Sequence, residues 1–185
     1  KNTAVTTYTI KVTGTVNSFG YASWSMPTET NNEKNYYTFT QYLTGLKQWG
    51  ELEATRYGFA WSVNLSGTIT VPTENTFENT TNLDHLFYNC RSLTGSIPEN
   101  LFINVENVIT FVNAFLDCKG LTGSIPAKLF ANAVNAIDMS GALQGCTGLT
   151  GEIPEELFAN TSKVEHFINT FHGSSGLTGS IPEKL

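Results

Sequence analysis

The sequence predicts an α/β solenoid: a stack of 28-residue coils preceded by an N-terminal β cap. Each coil gives one short strand to a parallel sheet and one short helical segment to the opposite side. Three observations lead to this reading. The string LTGSIP stands at 93–98, 121–126 and 177–182 and returns as LTGEIP at 149–154, so successive copies are always 28 residues apart. A step of 28 residues back from Leu93 lands on Leu65, which opens LSGTIT, so the register holds from there onward. Each copy also changes its apolar period partway, from alternation to helical spacing. Residues 1–46 are therefore read as the flanking β cap and 47–185 as the stack, with copies opening at Leu65, Leu93, Leu121, Leu149 and Leu177.

From the N-terminus, TTYTIKVTGTV (6–16) alternates Tyr8, Ile10 and Val12 with polar residues, which predicts a half-buried strand. The polar, turn-rich NSFGYASWSMPTETNNEKN (17–35) predicts an exposed loop. LKQWGELEATRYGFAWSVN (46–64) reads as a degenerate first coil, with Phe59 before Leu65 nearly as Phe115 stands before Leu121. Trp49 and Trp61 are expected to plug the open end of the core rather than to present a ligand platform. The Leu65 copy carries three extra residues between Ile69 and Phe77, with three fewer expected between Leu83 and Phe87, so its length is still 28.

The copy at 93–120 serves as the type. In LTGSI, Leu93, Gly95 and Ile97 alternate with Thr94 and Ser96, which predicts a short strand with the first three inward. Gly95 would there leave room for a bulky ring from the far wall. Pro98 ends the strand, because it has no N–H for a ladder. Val108, Phe111, Val112 and Phe115 then follow i, i+3, i+4, i+7, the stripe of a short helix or helical turn. Val164, Phe167, Ile168 and Phe171 repeat it, with Ser162 and Glu165 spaced as a capping box. Gly145 and Gly173 are expected to stop the helix, and Gly120, Gly148 and Gly176 to turn the chain into the next strand.

Stacking places like residues in files: Leu65, Leu93, Leu121, Leu149 and Leu177; Phe87, Phe115, Leu143 and Phe171; Phe77, Phe102, Phe130 and Phe158. Two places after the last file stand Asn79, Asn104, Asn132 and Asn160, read as a structural amide ladder in preference to a polar ligand site. Were that ladder buried, the glycosylation sequons at Asn79 and Asn160 would be coincidental; a third stands at Asn64. Cys90, Cys118 and Cys146 also lie 28 apart, with Ser174 in the next copy. A disulfide or metal site would not accept that serine, so the reading is a file of small buried thiols.

Composition narrows the partners. Charged residues are 14% and the net charge is −6 without a Lys/Arg cluster, which argues against nucleic acid. No apolar run approaches the roughly 20 residues of a membrane helix. No leader is visible, and a chain opening at Lys1 reads as a trimmed or mature product. The last copy stops soon after it opens, which suggests truncation.

The string VxxFxxxFxxCxxLTGxIPxxLFxN resembles the bacterial leucine-rich repeats of BspA-like surface proteins over about 46–185. The Phe-x-x-Cys-x-x-Leu step is carried by Phe87/Cys90/Leu93, Phe115/Cys118/Leu121 and, with Leu for Phe, Leu143/Cys146/Leu149; Phe171/Ser174/Leu177 departs at the thiol. TYTIKVTGTV resembles the last strand of a PKD-type sandwich. The resemblance implies a leucine-rich-repeat-like fold and extracellular or cell-surface display. It further implies adhesion or partner binding, with no catalytic motif to transfer.

The residues themselves supply no catalytic constellation. His85, His166 and His172 show no metal spacing, and Glu99, Glu155, Glu156 and Glu183 read as a solvated edge. No metal or cofactor is expected. What remains is a surface: Thr94, Ser96, Thr122, Ser124, Thr150, Glu152, Thr178 and Ser180 on the outward strand face, continued by Ser66 and Thr68. Its bland reading is a solvated sheet face. Its functional reading is a binding face of a non-catalytic adhesion-type module, for a host or neighbouring-cell protein or glycan. The rivals are a structural spacer or fibre segment, an ice-binding face and, least, a carbohydrate-active enzyme.

Overall fold

The computed structural model describes residues 16–19, 52–54, 58–60, 63–71 and 77–182. Tyr8, Ile10, Val12, Trp49 and Trp61 lie outside the described residues. β1 (Val16–Phe19) and β2 (Leu52–Ala54) pair in parallel, Val16 opposite Leu52 and Phe19 opposite Ala54, with an irregularity between. β1 therefore takes up the start of the stretch read as an exposed loop. Val16 and Phe19 favour extended backbone, and a ladder partner outweighs the turn-rich composition that follows them.

From Leu65 onward each copy is bonded to the next at two places. One file of parallel bridges joins Gly67 to Leu93, Gly95 to Leu121 and Gly123 to Leu149. It ends in β3 (Gly151–Glu152) and β4 (Leu177–Thr178), again in parallel. The other runs Asn82, Thr110, Asp138, His166. Phe77 lies 5.8 Å from Phe102, and Asn82 already pairs with Thr110. The excess before Phe77 is thus removed between Phe77 and Asn82, not between Leu83 and Phe87 as expected, since Leu83 and Phe87 bond to Thr110 and Ala114 in one unchanged register.

The segment after Val108 holds the largest departure from expectation. Among the described residues there is no α-helix, and 112–117 is a run of turns. The amides of Phe111, Asn113, Phe115 and Asp117 donate to the carbonyls of Asp138, Ser140, Ala142 and Gln144 in the next copy, each at 2.9 Å. The amides of Ala114, Leu116 and Cys118 close turns on Phe111, Asn113 and Phe115 at 3.0–3.1 Å. Backbone groups alternate between a local turn and the neighbouring copy.

The cause is visible in φ. Asn113 and Asp117 stand at +57° and +61°, and their counterparts His85, Gly141, Asn169 and Asn89, Gly145, Gly173 all lie between +58° and +75°. A left-handed residue every fourth position cannot belong to a right-handed helix. Asn, Asp and Gly tolerate that region best, and they fill seven of these eight places. With no helix to cap, Ser162 and Glu165 form no capping box; the Glu165 amide donates instead to the Ile137 carbonyl at 2.8 Å.

The LTGSI stretch is also less regular than a strand. Gly67, Gly95, Gly123, Gly151 and Gly179 all have φ between +74° and +89°. They do not admit a ring: a Cβ on Gly67 would meet nothing within 4 Å, one on Gly123 only Ser96 Cβ at 3.7 Å, and one on Gly95 the methyl of exposed Thr68 at 2.7 Å. Glycine serves the left-handed backbone there. Backbone leaves no room at Gly120, Gly148 and Gly176, where a Cβ would sit 2.2–2.3 Å from the carbonyl oxygens of Leu93, Leu121 and Leu149, the residues that open the same copies.

One continuous core runs through the copies. Leu65, Leu93, Leu121 and Leu149 are buried, as are Phe77, Phe102, Phe130 and Phe158. Phe59 stacks on Phe87 at 5.4 Å and Phe87 on Phe115 at 5.3 Å, so Phe59 extends that ring file into the preceding segment. Phe102, Phe130 and Phe158 follow at 5.8 Å intervals. Offset stacks of this kind add about 0.5–1.5 kcal/mol per pair to the burial itself. Among the described residues no helix is long and apolar enough to cross a membrane.

Candidate functional site

The hydroxyl face is built by the first bridge file. The amides of Thr94, Thr122 and Thr150 donate to the carbonyls of Gly67, Gly95 and Gly123 at 2.8–2.9 Å. Backbone bonding therefore fixes the spacing of the threonines, and their hydroxyls are not needed for it. Thr94, Ser96, Thr122, Ser124, Thr150, Glu152, Thr178 and Ser180 are all exposed. Buried Leu93 and Ile97, and buried Leu121 and Ile125, bracket three residues each that turn outward about a left-handed glycine. The arrangement offers two adjacent rows of small side chains, three hydroxyls and one carboxylate in the second. Such a surface can donate and accept hydrogen bonds but holds no nucleophile with a base beside it.

The amide ladder takes a different form from the one expected. Asn132 Nδ2 donates to the Ile103 carbonyl and Asn160 Nδ2 to the Ala131 carbonyl, the latter at 3.1 Å. The side chains reach the preceding copy's backbone, not each other. They are also not internal: Asn104 and Asn132 are half-buried, and Asn79 and Asn160 exposed. Burial therefore does not exclude the sequons at Asn79 and Asn160. A second amide file went unread in the sequence: Asn107 and Asn135 donate to the Glu78 and Glu106 carbonyls, both at 2.8 Å. Its signal was the same 28-residue recurrence.

The thiols have a common task. Cys90, Cys118 and Cys146 Sγ donate to the carbonyls of Phe59, Phe87 and Phe115 at 2.9, 3.0 and 3.1 Å. Ser174 Oγ makes the equivalent bond to Leu143 at 2.6 Å. A hydroxyl replaces a thiol there because both are small donors to the same carbonyl. All three cysteines are free and buried. Burial pushes the Cys118 thiol well up and the Cys146 thiol up to about 12, so neither is a nucleophile near neutral pH.

A polar knot also escaped the sequence reading. Asp84 Oδ1 accepts from Thr110 Oγ1 at 2.6 Å and from the Val112 amide at 2.9 Å, while its own amide donates to Asn82 Oδ1. The carboxylate ties two copies together. His85 is half-buried, with Nε2 3.3 Å from Asn113 Nδ2; His166 and His172 are exposed. Glu99, Glu155 and Glu156 are exposed. Among the described residues no three His, Cys, Asp or Glu side chains gather as metal ligands. No protein-family model, curated protein or solved structure matches the chain.

Proposed function

We propose that this chain is a non-catalytic repeat module of the leucine-rich-repeat-like solenoid class, displayed at a cell surface or secreted. It recognises a protein or glycan through the face of Thr94, Ser96, Thr122, Ser124, Thr150, Glu152, Thr178 and Ser180. One observation carries the reading. These eight exposed side chains make no hydrogen bond or ion pair with any described residue, while the backbone beneath them is fixed by bridges from copy to copy. Polar groups held in a rigid row and free of internal partners are pre-organised for an external one. A hydroxyl row suits the hydroxyls of a saccharide or the main chain of a peptide.

The test is a glycan array and a panel of extracellular-matrix proteins, probed with the chain and with Thr122→Lys/Ser124→Lys. Expected is at least one ligand whose binding falls roughly tenfold in the double variant, about 1.4 kcal/mol, at unchanged circular dichroism. A ligand bound equally by both proteins would move recognition off this face. No ligand on either panel would favour a spacer.

A further inference from the structure

The second bridge file carries a face of its own. Immediately before it stand Thr81, Ile109, Ile137 and Glu165, tied in order from copy to copy. The Ile109 amide donates to the Thr81 carbonyl at 2.8 Å, that of Ile137 to Ile109 at 2.7 Å, and that of Glu165 to Ile137 at 2.8 Å. Three places earlier in each copy stand Glu106, Val134 and Ser162. Asn135, the next residue after Val134, reaches the Glu106 carbonyl at 2.8 Å. Ile109, Ile137 and Val134 are 44%, 40% and 38% exposed. They lie inside the stack, bonded copies standing on both sides of the two isoleucines, so an open end does not explain their exposure. Strand propensity accounts for an isoleucine beside a bridge. It does not account for Val134, which stands in a turn, where Gly, Pro, Asn, Asp and Ser are the residues backbone geometry favours. The flanking copies are polar at the same places, with Thr81 and Glu165 in one row and Glu106 and Ser162 in the other. The apolar patch is thus bounded, an apolar centre with a polar rim, which is the anatomy of an interface.

The charge of that rim selects the occupant. Glu106 and Glu165 are exposed, and Asp138, next to Ile137, is half-buried. Lys163 stands beside them with Nζ 2.6 Å from Asn135 Oδ1. Arg91 and Lys119 are placed elsewhere, 3.8 and 3.4 Å from the Asp117 carboxylate. The rim is therefore negative around an aliphatic centre. A second copy of the chain docked by the same face would bring these carboxylates against their own equivalents, and like charges facing each other oppose association. An anionic lipid surface meets the same repulsion. A cationic protein segment meets attraction at the rim and apolar contact at the centre. We propose that Ile109, Val134 and Ile137, with Glu106, Asp138 and Glu165 around them, form a second docking surface, separate from the hydroxyl face, for a protein segment that carries aliphatic side chains beside lysine or arginine.

The test is fluorescence anisotropy with three labelled octapeptides: one alternating lysine and valine, one alternating glutamate and valine, and one of lysine and serine. The lysine–valine peptide should bind, more tightly at low salt than at 150 mM, and the other two at least about tenfold more weakly. Ile109→Thr/Ile137→Thr, which extends the Thr81 residue type down the file, should weaken it about tenfold at both salt concentrations. Glu106→Gln/Glu165→Gln should weaken it at low salt and flatten the salt dependence. Thr122→Lys/Ser124→Lys, on the hydroxyl face, should leave it unchanged, so the two faces are tested apart. If the threonine pair fails to fold, Val134→Ser takes its place, serine being the residue at Ser162. Absence of binding by the lysine–valine peptide would overturn the proposal, as would equal binding of the glutamate peptide or wild-type affinity in the apolar variants. A dimer in sedimentation that dissociates on Ile109→Thr/Ile137→Thr would overturn it too, by giving the face to a second copy.

Discussion

Gly120→Ala offers the sharpest test of how the copies are held together. A Cβ at Gly120 would lie 2.3 Å from the Leu93 carbonyl oxygen and 2.8 Å from that of Arg91. Carbon and oxygen ordinarily approach no closer than about 3.3 Å, so the deficit is about 1 Å. The obstacles are backbone atoms at the start of the same coil and the end of the one before, which no rotamer change can move. Relief requires the 121–148 copy to lift off its neighbour by a similar distance. That would stretch the Thr122 amide to Gly95 carbonyl bond, now 2.8 Å, out of hydrogen-bond range. One or two ladder bonds at about 1 kcal/mol each, with overpacking at about 1–3 kcal/mol, give roughly 3–4 kcal/mol. The reference is Gly123→Ala, where φ is +80° but the nearest atom is Ser96 Cβ at an ordinary 3.7 Å. Left-handed alanine alone should cost about 1–2 kcal/mol. Urea unfolding followed by circular dichroism measures both. A Gly123→Ala loss equal to or larger than that of Gly120→Ala would show that the copies are not in backbone contact there.

Cys118→Ser should change stability by less than about 1 kcal/mol, since Ser174 already makes the same bond to the preceding copy. Burial raises the Cys146 thiol from 9.0 to about 12, so its share of stability is complete below pH 9 and is lost as pH rises toward 12. The unfolded chain releases that proton first, which lowers stability by about 1.4 kcal/mol per pH unit in this window. Cys146→Ser should flatten the unfolding free energy between pH 9 and 11, and curves parallel to the wild type would contradict the assignment. Asn113→Gly should be neutral within about 0.5 kcal/mol and Asn113→Val costly by about 2 kcal/mol, because φ there is +57° and Gly141 holds the equivalent place. Thermal melts of the two variants should separate clearly. Asn132→Leu should cost about 1 kcal/mol by removing the bond to the exposed Ile103 carbonyl, against at most about 0.5 kcal/mol for Ser124→Ala; equal melting temperatures would refute the distinction.

What could be read in advance was what a fixed interval reveals. The Leu93, Phe102, Phe115 and Cys118 files could be named from recurrence at 28 residues, and these residues are buried in one cluster. The conformation between them could not. Phe111, Ala114, Phe115 and Cys118 are buried at steps of three, one and three residues, the pattern a helix would give. A run of turns interrupted by left-handed residues brings the chain back to the same face just as often. The discriminating residues were Asn113 and Asp117, with Gly141 and Gly145 in the next copy. An Asn/Asp/Gly file in a helix interior contradicts propensity twice per copy. Gly95 was misassigned for a related reason, whereas Gly120 lies in a turn just before the Leu121 bridge, as expected. Sequence alone cannot say which glycine serves φ and which serves close approach: Gly123 has a φ of +80° and open space around it, whereas at Gly120 backbone oxygens leave no room for a Cβ. On the hydroxyl face, exposure was legible from alternation, but the kink at Gly95 was not.

The residue that best separates recognition from mere solvation is Glu152. It occupies the place of Ser96, Ser124 and Ser180, is exposed, and lies in β3 directly opposite Thr178. The bridges that set its position use backbone atoms, so neither folding nor copy spacing depends on its side chain. A face whose only duty is to be wet, or to hold two ends apart, would treat Glu152→Ser as silent: stability within about 0.5 kcal/mol and no other effect. A face that orders water as a lattice would improve once the charge interrupting its hydroxyl row was removed, and thermal hysteresis would rise. A face that binds a saccharide or peptide in one register would lose the single charged group that marks that register. Affinity should then fall about three- to tenfold, equivalent to about 0.7–1.4 kcal/mol, with a dependence on salt that the wild type shows and the variant lacks. Equal affinity and equal salt dependence in the two proteins would leave Glu152 without a role in recognition and shift the contact toward the Thr94–Thr122 end of the row.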